Sequence, residues 1–280
     1  MAVAAYIRPS RLQDALAALR ERPWTVLAGG TDHFPARVEY AGDGAVLDVT
    51  ALPDLRGIRS EPDGGLAIGA AATWTEVIRA TLPPACDGLK AAAREVGGVQ
   101  IQNRGTVGGN LCNASPAADG VPALLSLDAE VELASLDGVR RLPLQEFVLG
   151  NRRTARRPDE LLTTVRVPAS ALDGTGRFLK LGARRYLVIS IVMVAGTLHR
   201  AADGTVRSVR LAVGACSASA LRLHELEADL AGRPLTDAAG ALQPRHLAGL
   251  APIDDMRADA GYRRAAAAVL VRRCLTELAA

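Results

Sequence analysis

From Arg104 the chain reads Arg-Gly-Thr-Val-Gly-Gly-Asn-Leu-Cys-Asn-Ala-Ser-Pro-Ala-Ala-Asp119, a stretch with no Lys or Glu, in which Leu111 is the only residue after Arg104 larger than valine. Side chains this small let a ligand approach the backbone. Gly108 and Gly109 can take positive φ, so successive N–H groups can converge on one phosphate. Asp119 closes the stretch with a carboxylate, which repels phosphate but accepts hydrogen bonds from the hydroxyls of an adjoining sugar or polyol. The alternative reading is a Gly-Gly hairpin turn followed by an Asx or Pro turn.

A second stretch adds weight to the phosphate reading. Trp24-Thr-Val-Leu-Ala-Gly-Gly-Thr-Asp32 is a short apolar run entering another Gly-Gly turn. A pyrophosphate needs donors from two sides, so two such turns in one domain suit a dinucleotide. Neither has the G-x-G-x-x-G spacing of the Rossmann turn or the Lys-Ser/Thr ending of a P-loop. His33 follows directly and can either touch a phosphate or serve in packing.

Ala28-Gly-Gly-Thr-Asp32 together with Thr106 to Asp119 resembles the paired FAD loops in the flavoprotein subunits of molybdenum hydroxylases. That family includes xanthine, carbon monoxide and nicotinate dehydrogenases and hydroxybenzoyl-CoA reductases. The resemblance covers nearly the whole chain. It implies that Leu27, Ala28, Gly29, Gly30, Thr31, Asp32 and His33 form one side of an FAD pyrophosphate site. Thr106, Val107, Gly108, Gly109 and Asn110 form the other, with Ser115 nearby and Asp119 on the ribityl chain. Glu160 to Pro168 is similar to a family strand in which a backbone group near Leu162 or Thr163 contacts the flavin ring.

Lysine occurs only at positions 90 and 180 among 33 basic residues, so Lys180 marks a place where a guanidinium does not fit. A compact ammonium can sit against a flavin edge and stabilise the reduced ring. An ordinary exposed strand lysine is the alternative. Phe178-Leu-Lys-Leu-Gly-Ala-Arg-Arg185 resembles the family strand whose lysine lies near the flavin. Many relatives carry an acidic residue just before the position of Ile189, where this chain has Val188.

The elements that must position these loops follow from pattern. Ser10 is the expected N-cap of an amphipathic helix from Arg11 to Arg20, with strands at Thr25 to Ala28 and Ala45 to Val49. In the second unit, strands are expected at Leu66 to Ala70, Ala129 to Leu133 and Leu161 to Val167. Helices are expected at Thr73 to Arg79, Gly88 to Val96 and Val121 to Leu127. Ala169 to Gly176 is the linker candidate. Beyond it come strands at Arg177 to Leu181, Val188 to Leu198 and Ser208 to Val213, with Asp203-Gly204 as a hairpin turn. Helices over about 220–231 and Tyr262 to Leu278 end the chain.

The expected fold class is therefore α+β. The resemblance specifies a two-part FAD-binding domain of the vanillyl-alcohol-oxidase/CO-dehydrogenase flavoprotein type over 1–169, with subdomains of about 1–52 and 53–169. A small C-terminal domain of antiparallel sheet and helices follows over 170–280, and Asp255 to Arg263 resembles the same subunits.

Composition removes other classes. The 33 basic and 30 acidic residues nearly balance, without a long basic run, which argues against a nucleic-acid partner. Cys86, Cys112, Cys216 and Cys274 are scattered with no C-x-x-C, so no metal or cluster is expected on this chain. No H-E-x-x-H or G-x-S-x-G occurs, and Cys112 has no basic neighbour in sequence to stabilise a thiolate. The N-terminus has no charged n-region before a sustained apolar segment and no apolar run spans a bilayer, so a cytoplasmic location is expected.

The resemblance further implies that molybdopterin and 2Fe-2S clusters reside on partner chains. These are a large molybdopterin subunit and a small iron–sulfur subunit, with FAD on this chain passing electrons to NAD or another acceptor. The arginine-rich run from Asn151 to Arg157 is a candidate partner contact or simply a solvated face. A self-contained flavin oxidase or reductase, and a flavin-free assembly subunit, are the competing readings. The first would need acid/base residues that the sequence does not supply, and the second would show damaged Gly-Gly loops, which are intact.

Overall fold

The computed structural model describes residues 5–36 and 44–280. A three-stranded parallel sheet opens the chain, in the order β1 (Tyr6–Ile7), β3 (Val46–Asp48), β2 (Thr25–Leu27). Helix α1 (Leu12–Glu21) buries Ala15, Leu16, Ala18 and Leu19, the face set by their spacing. Arg11 rather than Ser10 is its N-cap and makes no side-chain cap bond, so the helix starts one residue later than expected. Trp24 Nε1 donates to the Ala18 carbonyl at 2.9 Å and ties the end of α1 to the start of β2.

The second unit is an antiparallel sheet of β4 (Ile58–Ser60), β5 (Leu66–Gly69), β10 (Leu161–Val167), β6 (Glu130–Ser135) and β7 (Gly138–Pro143), in that order. Helices α2 (Trp74–Arg79), α3 (Asp87–Glu95), α4 (Val99–Gln102), α5 (Val107–Asn113), α6 (Gly120–Leu125) and α7 (Leu144–Phe147) lie between these strands in sequence. So does a two-stranded hairpin of β8 (Val148–Gly150) and β9 (Arg153–Thr154). Thr73 starts α2 through a capping box with Glu76, fixing where the chain leaves the end of β5. Trp74, 1% exposed, fills the space under the Gly105 and Gly120 backbones.

A four-stranded antiparallel sheet follows, in the order β11 (Thr175–Leu181), β12 (Val192–Arg200), β13 (Val206–Gly214), β14 (Leu221–Arg222). One face carries α8 (His224–Leu230) and α9 (Ala260–Ala279) over a core that includes Val192, Val194, Leu211, Val271 and Leu275. The other face sends Phe178, Met193, Ala195 and Ala212 into the core of the preceding unit. Because both faces are covered, β12 is buried along nearly its whole length. The approach is close enough that a Cβ on Gly176 would lie 2.1 Å from the Ala85 carbonyl oxygen. Asp203-Gly204 makes the expected turn between β12 and β13, with Gly204 at φ +82.

Three expectations are corrected. Gly108 and Gly109 do not adopt positive φ; they lie in the first turn of α5, capped by Thr106, whose hydroxyl accepts from the Gly109 N–H. β12 starts at Val192 rather than Val188, because residues 187–189 leave the ladder to line a cleft. Strand β7 was not anticipated, nor were β1 and β4; these sheet-edge strands show little alternation, since their outer sides meet solvent.

Candidate functional site

A cleft of about 960 Å³ runs beside α5, at the upper end of the usual range for small-molecule sites and large enough for a dinucleotide. One wall is the loop leaving β2, where Leu27, Ala28, Gly29, Gly30, Thr31, Asp32 and His33 all face the cleft. The opposite wall is built from Thr106, Gly108, Gly109 and Asn110, continuing to Ser115 and Asp119. Leu162 on β10 contributes apolar surface. The two Gly-Gly segments, about eighty residues apart in sequence, therefore meet at one site.

Their contact is made backbone to backbone. A Cβ on Gly29 would fall 1.9 Å from the Arg104 carbonyl oxygen, so only glycine allows the two loops to touch. Gly30 sits at φ +75, the left-handed turn that aims the loop into the cleft. Among the described residues, the N–H groups of Gly29, Gly30, Thr31 and Asp32 make no backbone hydrogen bond. The second segment differs. Val107 N–H donates to Ala72 O at 2.9 Å, Gly108 N–H to Ala70 O at 2.8 Å and Gly109 N–H to the Thr106 hydroxyl at 3.0 Å. Available donors are thus concentrated on the first loop, while the second supplies a rigid floor.

Asn110 supplies a different signal. Its Oδ1 is the buried side-chain oxygen that has no hydrogen-bond partner among the described residues. An unpaired buried acceptor beside a cleft calls for a ligand hydroxyl or amine. Open loop amides for phosphate, an orphan acceptor for a hydroxyl and apolar surface from Leu162 together fit a flavin dinucleotide.

Three predicted residues lie behind the lining. Val107 is fully buried in the core under the cleft floor. Thr163 accepts the Ala70 N–H through its carbonyl at 2.9 Å and donates its hydroxyl to the Glu132 carbonyl at 3.2 Å. Lys180 borders a separate small hollow, and its ammonium reaches Asp119 Oδ2 at 2.8 Å and the Glu95 carbonyl at 3.3 Å. Burial pushes the Asp119 carboxyl above its ordinary pKa, against the opposing pull of Lys180.

Sequence reasoning missed other lining residues. Arg152, Thr154 and Arg156 border the cleft from the β8–β9 hairpin, inside the run read as a docking contact or solvated face. The Arg152 N–H bonds the Asn113 carbonyl at 3.2 Å, which fastens that hairpin to the end of α5. A basic run beside a phosphate site was the available signal. Leu187 was not singled out, and Val188 and Ile189 were read as strand, since nothing in their pattern distinguished a cleft wall from a β-ladder.

Cys112 borders the cleft, but burial pushes its thiol up to about 11, with Arg156 acting weakly in the other direction. Cys86, Cys216 and Cys274 are also unpaired and buried. Among the described residues, no helix is long and apolar enough to cross a membrane.

The fold and the cleft define a nucleotide-cofactor-binding protein. The family described as the FAD binding domain in molybdopterin dehydrogenase matches residues 2–170, and the CO dehydrogenase flavoprotein C-terminal domain matches 177–278. The chain belongs to the FAD-binding flavoprotein subunits of the molybdenum hydroxylases, which are oxidoreductases. It is 31% identical to the xanthine dehydrogenase FAD-binding subunit of Escherichia coli O157:H7, over 99% of this chain and 96% of that one. It is 30% identical to the carbon monoxide dehydrogenase medium chain of Hydrogenophaga pseudoflava, over 96% and 95% of the two chains. The solved CO dehydrogenase of Oligotropha carboxidovorans superposes with a TM-score of 0.89 at 27% identity, covering 98% of this chain and 97% of that one. The cofactor of this chain is FAD; in this family molybdopterin and iron–sulfur clusters belong to other subunits.

Proposed function

We propose that this chain relays electrons from the iron–sulfur clusters of a small partner subunit to NAD or another acceptor, while a large molybdopterin subunit oxidises the organic substrate. When bound, FAD supplies a centre that takes electrons singly and gives them up as a pair. The chain's own residues hold and enclose that centre. The amides of Gly29, Gly30, Thr31 and Asp32 receive the pyrophosphate, supported by Leu27, Ala28 and His33. Thr106, Gly108, Gly109 and Asn110 form the facing wall, and Asn110 Oδ1 accepts a cofactor hydroxyl or amine. Ser115 and Asp119 border the polyol, while Leu162 backs the ring; Val107, Thr163 and Lys180 support these groups from behind. The FAD-binding domain spans 1–169, the C-terminal domain spans 170–280, and the complex works in the cytoplasm.

The observation carrying this reading is the meeting of two Gly-Gly loops over a cleft that has open amides and an orphan acceptor. The test is to assay the isolated FAD-loaded chain with an artificial acceptor against purines, N-heterocycles, aldehydes and carbon monoxide, then repeat with the partner chains present. Oxidation is expected only in the assembled complex. Robust turnover by the single chain would overturn the relay and favour a self-contained flavoenzyme.

A further inference from the structure

Asp119 occupies the N-cap position of α6, where a carboxylate ordinarily binds the first amides of the helix, yet it makes no side-chain cap bond. Both of its oxygens are engaged elsewhere. Oδ2 accepts from Lys180 Nζ at 2.8 Å and Oδ1 accepts from the Ser190 hydroxyl at 2.8 Å. These two partners stand at opposite ends of one loop. β11 ends at Leu181 and β12 begins at Val192, so the intervening chain leaves the sheet beside Lys180 and returns beside Ser190.

The base of that loop is buried and its tip is not. The Lys180 and Asp119 side chains are 7% and 9% exposed, and Ser190 is fully buried. Other groups reinforce the base: the Glu95 carbonyl accepts from Lys180 at 3.3 Å, and Arg257 Nη1 donates to the Ser190 carbonyl at 3.0 Å. At the tip, Tyr186, Leu187 and Ile189 are exposed, and Leu187 holds a positive φ of 51 that favours glycine. Leu187, Val188 and Ile189 border the cleft. The tip thus forms a wall of the cleft while its fixed points lie behind it.

We propose that Asp119 is a positioning residue: by joining Lys180 to Ser190 it holds the loop of residues 182–190 against the cleft as a wall of the cofactor site. The part of this that concerns the cofactor rests on the reading of the cleft as the FAD site. Charge-assisted bonds at both ends of a loop favour its ordered state more than neutral bonds do. Removing either partner leaves a buried carboxylate oxygen without a donor, which raises the population of the open loop. A direct ligand would need only the Asp119 carboxylate, whereas a clamp also needs Ser190, which does not border the cleft.

Ser190→Ala is therefore the informative variant, with Asp119→Asn beside it. Arg184 and Arg185 are exposed in the loop, so trypsin reports its opening by cutting after them. On the full-length, flavin-free chain, both variants are expected to be cut at Arg184 or Arg185 about tenfold faster than wild type, with cleavage elsewhere unchanged. Both are also expected to retain less flavin on purification, and added FAD is expected to protect the wild-type loop. Wild-type cleavage in Ser190→Ala would overturn the clamp. So would full flavin retention in Ser190→Ala alongside loss in Asp119→Asn, which would make Asp119 a ligand only. A wild-type chain that binds no FAD, but whose loop is still released by Ser190→Ala, would refute the cofactor reading and leave the clamp standing.

Discussion

Gly29 faces the carbonyl of Arg104 so closely that a Cβ at position 29 would lie 1.9 Å from its oxygen. That oxygen belongs to backbone and the Cβ position is fixed by the backbone, so a side chain here forces the two loops apart rather than rotating away. Gly29→Ala is expected to destabilise the chain by about 1 to 3 kcal/mol and to lower flavin content sharply. Absorbance of the purified variant and its thermal midpoint measure the two effects. Full flavin content would mean that loop contact does not shape the site.

Neighbouring glycines on α5 should behave differently from each other. A Cβ on Gly108 would meet the Ala70 Cβ and carbonyl oxygen at 2.7 Å and Leu162 Cδ2 at 2.9 Å, so Gly108→Ala strains the floor of the cleft. Its thermal midpoint should fall. A Cβ on Gly109 would meet only the Thr106 hydroxyl, at 2.8 Å, and Gly109 borders the cleft. Gly109→Val is therefore expected to lose flavin mainly through obstruction, with a smaller stability change of about 1 kcal/mol from the disturbed cap. Calorimetry and flavin absorbance on both variants separate floor from ligand wall; equal occupancy in wild type and Gly109→Val would reject that wall.

His199 predicts how stability depends on pH. It is fully buried on β12, with Nδ1 2.6 Å from Asp173 Oδ1 and Nε2 2.6 Å from Arg210 Nη1. A neutral ring donating from Nδ1 and accepting at Nε2 satisfies both partners. Protonation would point a second N–H at the Arg210 guanidinium. Burial is the largest influence and lowers the His199 pKa, Asp173 opposes it, and Arg210 and Arg207 add to the lowering. Because the folded pKa lies below the unfolded value of about 6.5, the contribution is fully present above that pH and is lost as pH falls through the window beneath it. Thermal midpoints of wild type should decline as pH drops from about 7 to 5, with a shallower decline in His199→Gln. Parallel profiles would contradict this assignment.

Much of the site could be read in the sequence because glycine pairs carry their meaning locally. Gly29 and Gly30 were legible as a turn at which the backbone is left open to a ligand, and Asp119 as a carboxylate closing the second stretch, whereas Asn110 followed from the family resemblance. Helices α1, α3 and α9 were legible from apolar spacing, and α9 is capped by Asp259, whose carboxylate accepts the Tyr262 N–H at 2.7 Å. Gly108 and Gly109 misled because the same pair serves a tight turn or a helix packed close to a sheet, and only the nearness of Ala70 and Leu162 decides between them. The link from Asp119 to Lys180 spans 61 residues, and that to Ser190 spans 71. No periodicity records contacts of that range. Arg152 and Arg156 were legible as charge, but their place on the cleft depends on how the β8–β9 hairpin folds over α5.

The most direct measurement is a titration of the refolded, flavin-free chain with FAD, FMN and riboflavin, followed by flavin fluorescence. A cleft with open amides on the 28–33 loop, facing Asn110, should take up a single equivalent of FAD. Affinity should fall by at least about tenfold for FMN, which lacks the pyrophosphate and adenosine, and further for riboflavin. Saturable, preferential FAD binding that is lost in Gly29→Ala is the expected result. Absence of FAD binding by the folded wild-type chain, or equal affinity for riboflavin, would contradict the assignment of this cleft as a flavin dinucleotide site.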